Sequence, residues 1–221
     1  IPYIGNILPL ENLGVKALTI IIVMLLTLIN YYGVRFGGTI SSFFSSSKVL
    51  IILFFVLVAL IFTNGSVSNF SSVLPVSEMG NSNIFLGIVA AMSGAFWAYD
   101  GWNNVTYLAG EIKEPQVNIP KGLFLGTVIV IIVYLLINIA YIYVLPINEM
   151  AKSTLVAADA ATRVLGSIGG GFVAAAVMIS TFGTSNGTIM ASARVYYAMS
   201  NRGMFFKSIG KSHIKYLTPA N

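Results

Sequence analysis

Residues 93–107 read Ser-Gly-Ala-Phe-Trp-Ala-Tyr-Asp-Gly-Trp-Asn-Asn-Val-Thr-Tyr. Asp100, Asn103, Asn104 and Thr106 set a carboxylate, two amides and a hydroxyl into a run that is otherwise apolar and aromatic. An aspartate at the centre of a bilayer costs at least ~2.5–3.5 kcal/mol on insertion scales, so the cluster has to face protein or water. Asp100-Gly101 is also a natural place to interrupt a helix, because glycine takes backbone conformations that other residues resist. An interruption at membrane depth is tolerated only where it lines a cavity. There the freed carbonyls and half-helix N-termini can hold the charged ends of a small zwitterion. Interhelical hydrogen bonding accounts for the same polar residues, with Trp97, Tyr99 and Trp102 explained as packing. The residues alone leave both readings open.

Lys48 follows Phe43-Phe44-Ser45-Ser46-Ser47, one or two turns inside the end of an apolar segment. Its long stem would let it snorkel to the headgroups. Ser180 and Thr184 stand one helical turn apart and share a face. Back-bonding to their own helix would occupy both hydroxyls. Enzyme chemistry finds little to work with here. The chain has no cysteine, which excludes thiol catalysis, a thiolate metal site and a disulfide framework. His213 is the single histidine, and no Walker or zinc motif is present. No catalytic residue, no metal and no cofactor is expected, and an enzyme is not.

The elements that carry these residues are membrane spans. Of 221 residues, 57% are hydrophobic and 9% charged, against roughly 25% charged in a soluble domain. Mean hydropathy is +0.86. A soluble fold of this size cannot hide that much apolar surface, so lipid covers part of it. Five segments are long enough to cross: 15–32, 41–62, 84–108 with an unwound centre, 122–145 and 170–199. Non-helical breaks are expected at 33–38, 63–82, 110–121 and 146–166. Arg35, Lys113, Lys121, Arg194, Arg202, Lys207, Lys211 and Lys215 fall on one side of the alternating loops, and Lys16, Lys152 and Arg163 on the other. The positive-inside bias makes the first side cytoplasmic, so the chain starts outside and ends inside. The same bias accounts for the net charge of +5 without a nucleic-acid partner. Both ends are loop-like, and residues 1–221 are expected to be one internal stretch of a longer, single membrane domain.

Phe96-Trp97-Ala98-Tyr99-Asp100-Gly101-Trp102-Asn103, then Glu111-Ile112-Lys113-Glu114-Pro115 and Asn118-Ile119-Pro120, resemble the L-type amino-acid transporters of the amino acid–polyamine–organocation superfamily. That family shows an aromatic-Ala-Tyr-x-Gly-Trp-Asn core followed by Glu-x-x-x-Pro and Asn-x-Pro. Asn30, Gly33-Val34-Arg35 and Lys48 resemble the preceding helix pair. Phe182-Gly183-Thr184-Ser185-Asn186-Gly187, Ser192-Ala193-Arg194 and Met199-Ser200-Asn201-Arg202-Gly203 resemble the eighth helix. Several motifs in order, over nearly the whole chain, are far more specific than any one of them.

The resemblance implies an all-α integral membrane protein. About five transmembrane helices would be helices four to eight of a twelve-helix, five-plus-five inverted-repeat fold of the leucine-transporter kind. It implies that carbonyls at Trp97, Ala98 and Asp100 hold a substrate ammonium, that Trp97 gates the site, and that Asn103 holds substrate or the unwound geometry. The family more often has a small residue at the position of Asp100. It implies that the Lys48 ammonium replaces a sodium ion, with Ser180 and Thr184 as hydroxyl partners. The function implied is sodium-independent exchange of small neutral L-amino acids by alternating access, in the cell membrane. A proton-coupled permease and a non-transporting amino-acid sensor are the alternatives.

Expected partners are an amino acid, membrane lipid and the remaining helices. Animal members join a heavy chain through a cysteine, but the matching position here is about Leu8, so no disulfide-linked heavy chain is expected and a prokaryotic member is. Glu111, Lys113 and Glu114 are expected to form a solvated loop that pairs, if at all, with Arg194 or Arg202. Asn69-Phe70-Ser71 and Asn186-Gly187-Thr188 match the glycosylation pattern without further support.

Overall fold

The computed structural model describes residues 12–32, 34–71 and 84–213. Leu8, Gly33 and Lys215 lie outside the described residues. Among those described there is no strand, and the chain runs as helices α1 (Asn12–Tyr31), α2 (Val34–Phe62), α3 (Ile84–Ala98), α4 (Pro115–Val144), α5 (Ile147–Lys152), α6 (Val156–Leu165) and α7 (Gly169–Asn201). Among the described residues four stretches are long and apolar enough to cross a bilayer: Leu13–Tyr31, Phe36–Phe62, Pro115–Val144 and Val156–Asn201. The 15 residues of α3 rise about 22 Å, short of the roughly 30 Å of hydrocarbon.

Several expected breaks are shorter than 33–38, 110–121 and 146–166 imply. Helix α2 is already under way at Val34, with a turn at Tyr32 before it. Helix α4 begins at Pro115 rather than after the second proline. Proline fits a first helical position, where its missing N–H has no intrahelical partner to lose. Pro120 sits inside the helix, and there it removes the donor that the Gln116 carbonyl would meet. The 146–166 stretch is mostly helical as α5 and α6. In α6, Ala160 and Ala161 are buried while Thr162 and Arg163 are exposed, an amphipathic pattern that a search for uniformly apolar runs passes over.

The described residues fall into two compact units. One draws on Ile1–Ile52, Asn104–Pro115 and Gly170–Asn221. Its centre is Asn186, fully buried, which joins α1, α2 and α7 through one side chain. Asn186 Nδ2 donates to the Gly37 carbonyl at 3.0 Å and to Ser41 Oγ at 2.7 Å. Its Oδ1 accepts from Asn30 Nδ2 at 2.7 Å, and Asn30 also donates to the Leu26 carbonyl. A buried amide is tolerated only when its groups are paired, and this one is. The Asn186 glycosylation match is thereby ruled out on burial.

The other unit draws on Leu53–Asn103 and Gln116–Gly169. Phe55, Val56, Ala59, Val133, Ala140 and Val144 are buried in it, and Phe55 meets Tyr141 at 5.9 Å between ring centroids. The Tyr143 carbonyl, near the end of α4, accepts from the Ser66 amide at 3.0 Å and from Asn69 Nδ2 at 3.2 Å. The second acceptor site of a carbonyl makes this double capping possible. Arg163 donates to the Val144 carbonyl at 3.1 Å and pairs with Glu149 at 3.1 Å.

Candidate functional site

The first cluster is built by the interruption after α3. The helix ends at Ala98, residues 99–103 form a turn, and a 3-10 helix follows over Asn104–Glu111. Gly101 has φ +88°, in the left-handed region where a side chain is strained and glycine is not. In a continuing α-helix the carbonyls of Trp97 and Ala98 would accept from the amides of Gly101 and Trp102. Instead the Trp97 carbonyl accepts from the Asp100 amide at 3.3 Å. The Ala98 carbonyl accepts from the Tyr134 hydroxyl at 2.7 Å. Each carbonyl has a second lone pair to offer.

Trp97 is 81% exposed at the end of α3. Asp100 is exposed and Asn103 half-buried. Tyr134, on α4, was not singled out by the sequence. It packs edge-on against Tyr99, with ring centroids 5.2 Å apart, which aims its hydroxyl at the end of the helix. A phenol in the middle of an apolar helix needs a hydrogen-bond partner, and that need was the available signal.

The second cluster lies where α2 meets α7. Phe44 and Phe182 face each other with ring centroids at 5.7 Å. Gly183 is buried against Phe44: a Cβ at 183 would stand 2.7 Å from the Phe44 Cβ. The absence of that Cβ lets the two helices approach. One turn on from Phe44, and so on the same face, Lys48 is half-buried and its Nζ donates to Thr184 Oγ1 at 3.4 Å. That is at the long end of hydrogen-bond range. Thr184 Oγ1 in turn donates to the Ser180 carbonyl at 3.0 Å. Back-bonding and contact with Lys48 therefore coexist on Thr184. Ser180 enters through its carbonyl.

A third contact fixes the segment after the interruption. Arg194, 8% exposed, donates through Nε to Glu111 Oε1 at 2.5 Å and through Nη2 to Oε2 at 3.3 Å. Its Nη1 donates to the Met190 carbonyl. Of the two partners expected for Glu111, Arg194 takes the place, with Glu111 still exposed: the fork of Arg194 matches a carboxylate bidentately and ties the end of the 3-10 helix to α7. Arg202 takes no part in this pair. An open pocket of about 530 Å³, with Glu149, Lys152, Ser153, Asp159 and Arg163 in its wall, contains none of the substrate-site or sodium-surrogate residues named from the sequence.

Residues 3–221 match the sequence profile of a family described as amino acid permease. The chain is 32% identical over 207 residues to the b(0,+)-type amino acid transporter 1 of Oryctolagus cuniculus, covering 93% of this chain and 42% of that protein. It is 30% identical over 207 residues to a serine/threonine exchanger of Bacillus subtilis, covering 92% of this chain and 45% of that protein. Against the large neutral amino acids transporter small subunit 2 of Homo sapiens it is 27% identical over 219 residues, 99% of this chain and 40% of that protein. The chain thus spans about two-fifths of the length of the curated relatives it matches.

Proposed function

The chain belongs to the amino acid permease family, and on that premise we propose that it forms the ammonium-binding part of a secondary transporter. The transporter exchanges small neutral L-amino acids across the cell membrane by alternating access, without sodium. This stretch begins outside and ends in the cytoplasm, within a five-plus-five inverted repeat. The relatives are named as amino-acid transporters and exchangers, which supports the substrate class.

The observation that carries the reading is the interruption at 99–103 between an apolar helix and a 3-10 segment, with Gly101 at φ +88°. Helix ends that stop within a bilayer present carbonyls with unused lone pairs, and these suit an ammonium. In this reading Trp97, Ala98 and Asp100 offer carbonyls to the substrate ammonium. Tyr134 holds the Ala98 carbonyl in place, Asn103 supports the turn, and Trp97 closes over the bound molecule. The substrate carboxylate is met by backbone amides outside this chain. Lys48, reaching Thr184, is the fixed cation that takes the place of sodium, with Ser180 supporting Thr184.

Proteoliposomes test this directly. Vesicles preloaded with unlabelled alanine or serine should take up the labelled amino acid faster than empty vesicles. Replacing external sodium with choline should leave the rate unchanged. Failure of alanine, serine and leucine alike to exchange would sink the reading, and a sodium requirement would remove the role given to Lys48.

A further inference from the structure

Beyond Asp159 the sequence carries no further Asp or Glu, while Arg163, which pairs with Glu149, and Arg194, Arg202, Lys207, Lys211 and Lys215 follow. Arg194 is taken up by Glu111. Arg202, Lys207 and Lys211 are exposed and form no ion pair among the described residues. They belong to a segment that α7 holds in one shape. The amides of Arg202, Gly203 and Met204 donate back to the carbonyls of Ala198, Ser200 and Met199 at 2.9–3.1 Å. Ser200, buried, donates its hydroxyl to the Phe206 carbonyl at 2.7 Å. Phe205 stacks on Tyr196 with centroids 5.5 Å apart. The same turn displays Met204 and Phe206, which are 60% and 71% exposed, and a 3-10 turn over Lys207–Gly210 continues it.

Two large apolar side chains held outward, flanked by three cations without an ion pair among the described residues, sit directly after a helix long and apolar enough to cross a bilayer. Apolar side chains at such a place enter the acyl boundary, and the cations meet headgroup phosphates. We propose that Met204, Phe206, Arg202, Lys207 and Lys211 form a docking surface for anionic phospholipid headgroups, which fastens the end of α7 to one leaflet. A zwitterionic leaflet would satisfy only the apolar pair. An anionic one adds roughly fivefold in affinity for each cation at its surface, and salt weakens that gain because the field decays over about 8 Å at physiological ionic strength. A soluble acidic protein would satisfy the charges and leave Met204 and Phe206 without an apolar partner. The surface depends on the membrane crossing of α7, and is independent of what the transporter carries.

The test uses the protein reconstituted in vesicles of phosphatidylcholine alone or of phosphatidylcholine with phosphatidylglycerol. Met204→Cys provides a labelling position in a chain without cysteine, and an environment-sensitive fluorophore there reports polarity and quenching by spin-labelled lipid. Emission should shift to the blue in the mixed vesicles, with stronger quenching by spin-labelled phosphatidylglycerol than by spin-labelled phosphatidylcholine. Lys207→Gln and Lys211→Gln should each lower that preference roughly fivefold, and Lys207→Glu/Lys211→Glu should abolish it, as should high salt. Equal signals in the two vesicle types, or a preference that survives charge reversal, would overturn the proposal. So would a fluorophore that stays in water beside both lipids and is shielded only by an acidic protein.

Discussion

Gly183→Ala separates the two accounts of Lys48, because it moves a helix without touching the lysine. The added Cβ would lie 2.7 Å from the Phe44 Cβ and 3.5 Å from its Cγ. Carbon atoms rest at about 3.5–4.0 Å, and a Cβ cannot rotate away, so α2 and α7 must part by about 1 Å at this level. The Lys48–Thr184 contact is already 3.4 Å, and the same displacement carries it beyond hydrogen-bond reach. Overpacking costs about 1–3 kcal/mol, while alanine gains about 1 kcal/mol over glycine in a helix. The protein should therefore insert and purify, losing at most ~2 kcal/mol of stability.

Transport should suffer far more than stability does. A hydrogen bond to a charged group is worth about 1.5–3 kcal/mol, which converts to about tenfold to a hundredfold in exchange rate. The assay is amino-acid exchange in proteoliposomes, normalised to inserted protein. Lys48→Ala should show a similar loss, and the double variant should be no slower than Lys48→Ala alone, because both changes break one contact. Phe44→Gly removes the atom struck by the new Cβ and should restore part of the Gly183→Ala rate. Wild-type exchange in Gly183→Ala, or losses that simply add in the double variant, would refute the reasoning and return Lys48 to snorkelling.

Trp97→Ala should raise KM with little change in stability, since the ring is 81% exposed at the end of α3; an unchanged KM for alanine argues against a gate there. Tyr134→Phe removes the 2.7 Å bond to the Ala98 carbonyl and should lower kcat/KM by about twofold to tenfold, the range of a single neutral hydrogen bond of ~0.5–1.5 kcal/mol. Unchanged kinetics would show that this carbonyl needs no support. Arg194→Ala leaves the Glu111 carboxylate without its bidentate partner. The pair is part-buried, with the Glu111 side chain 29% exposed, so the loss is that of a hydrogen bond to a charged group, about 1.5–3 kcal/mol, and thermal unfolding in detergent should begin below that of the wild type. Arg194→Lys should recover only part of the loss, because lysine lacks the planar fork.

The long helices and the interruption were legible because their causes are local. A run of apolar residues near bilayer length needs no partner to declare itself, and neither does a glycine beside an aspartate in such a run. Helix α6 was missed for the opposite reason. Its apolar residues recur at helical spacing among polar ones, so the signal is a period and not a run. Asn186 shows a different limit. Its motif was visible, but its bonds reach Asn30, Gly37 and Ser41, and no local pattern states which distant backbone carbonyl an amide will find. Glu111 is a milder case: Arg194 and Arg202 were both candidate partners in the sequence, and only the fold selects Arg194. Lys48 joins the two limits. Its position in an apolar helix is a local fact, whereas its choice of Thr184 rests on the missing Cβ of Gly183. In a membrane helix the small residues that allow close approach therefore carry as much of the site as the polar ones, and they are harder to weigh because glycine in a sequence does not name its neighbour.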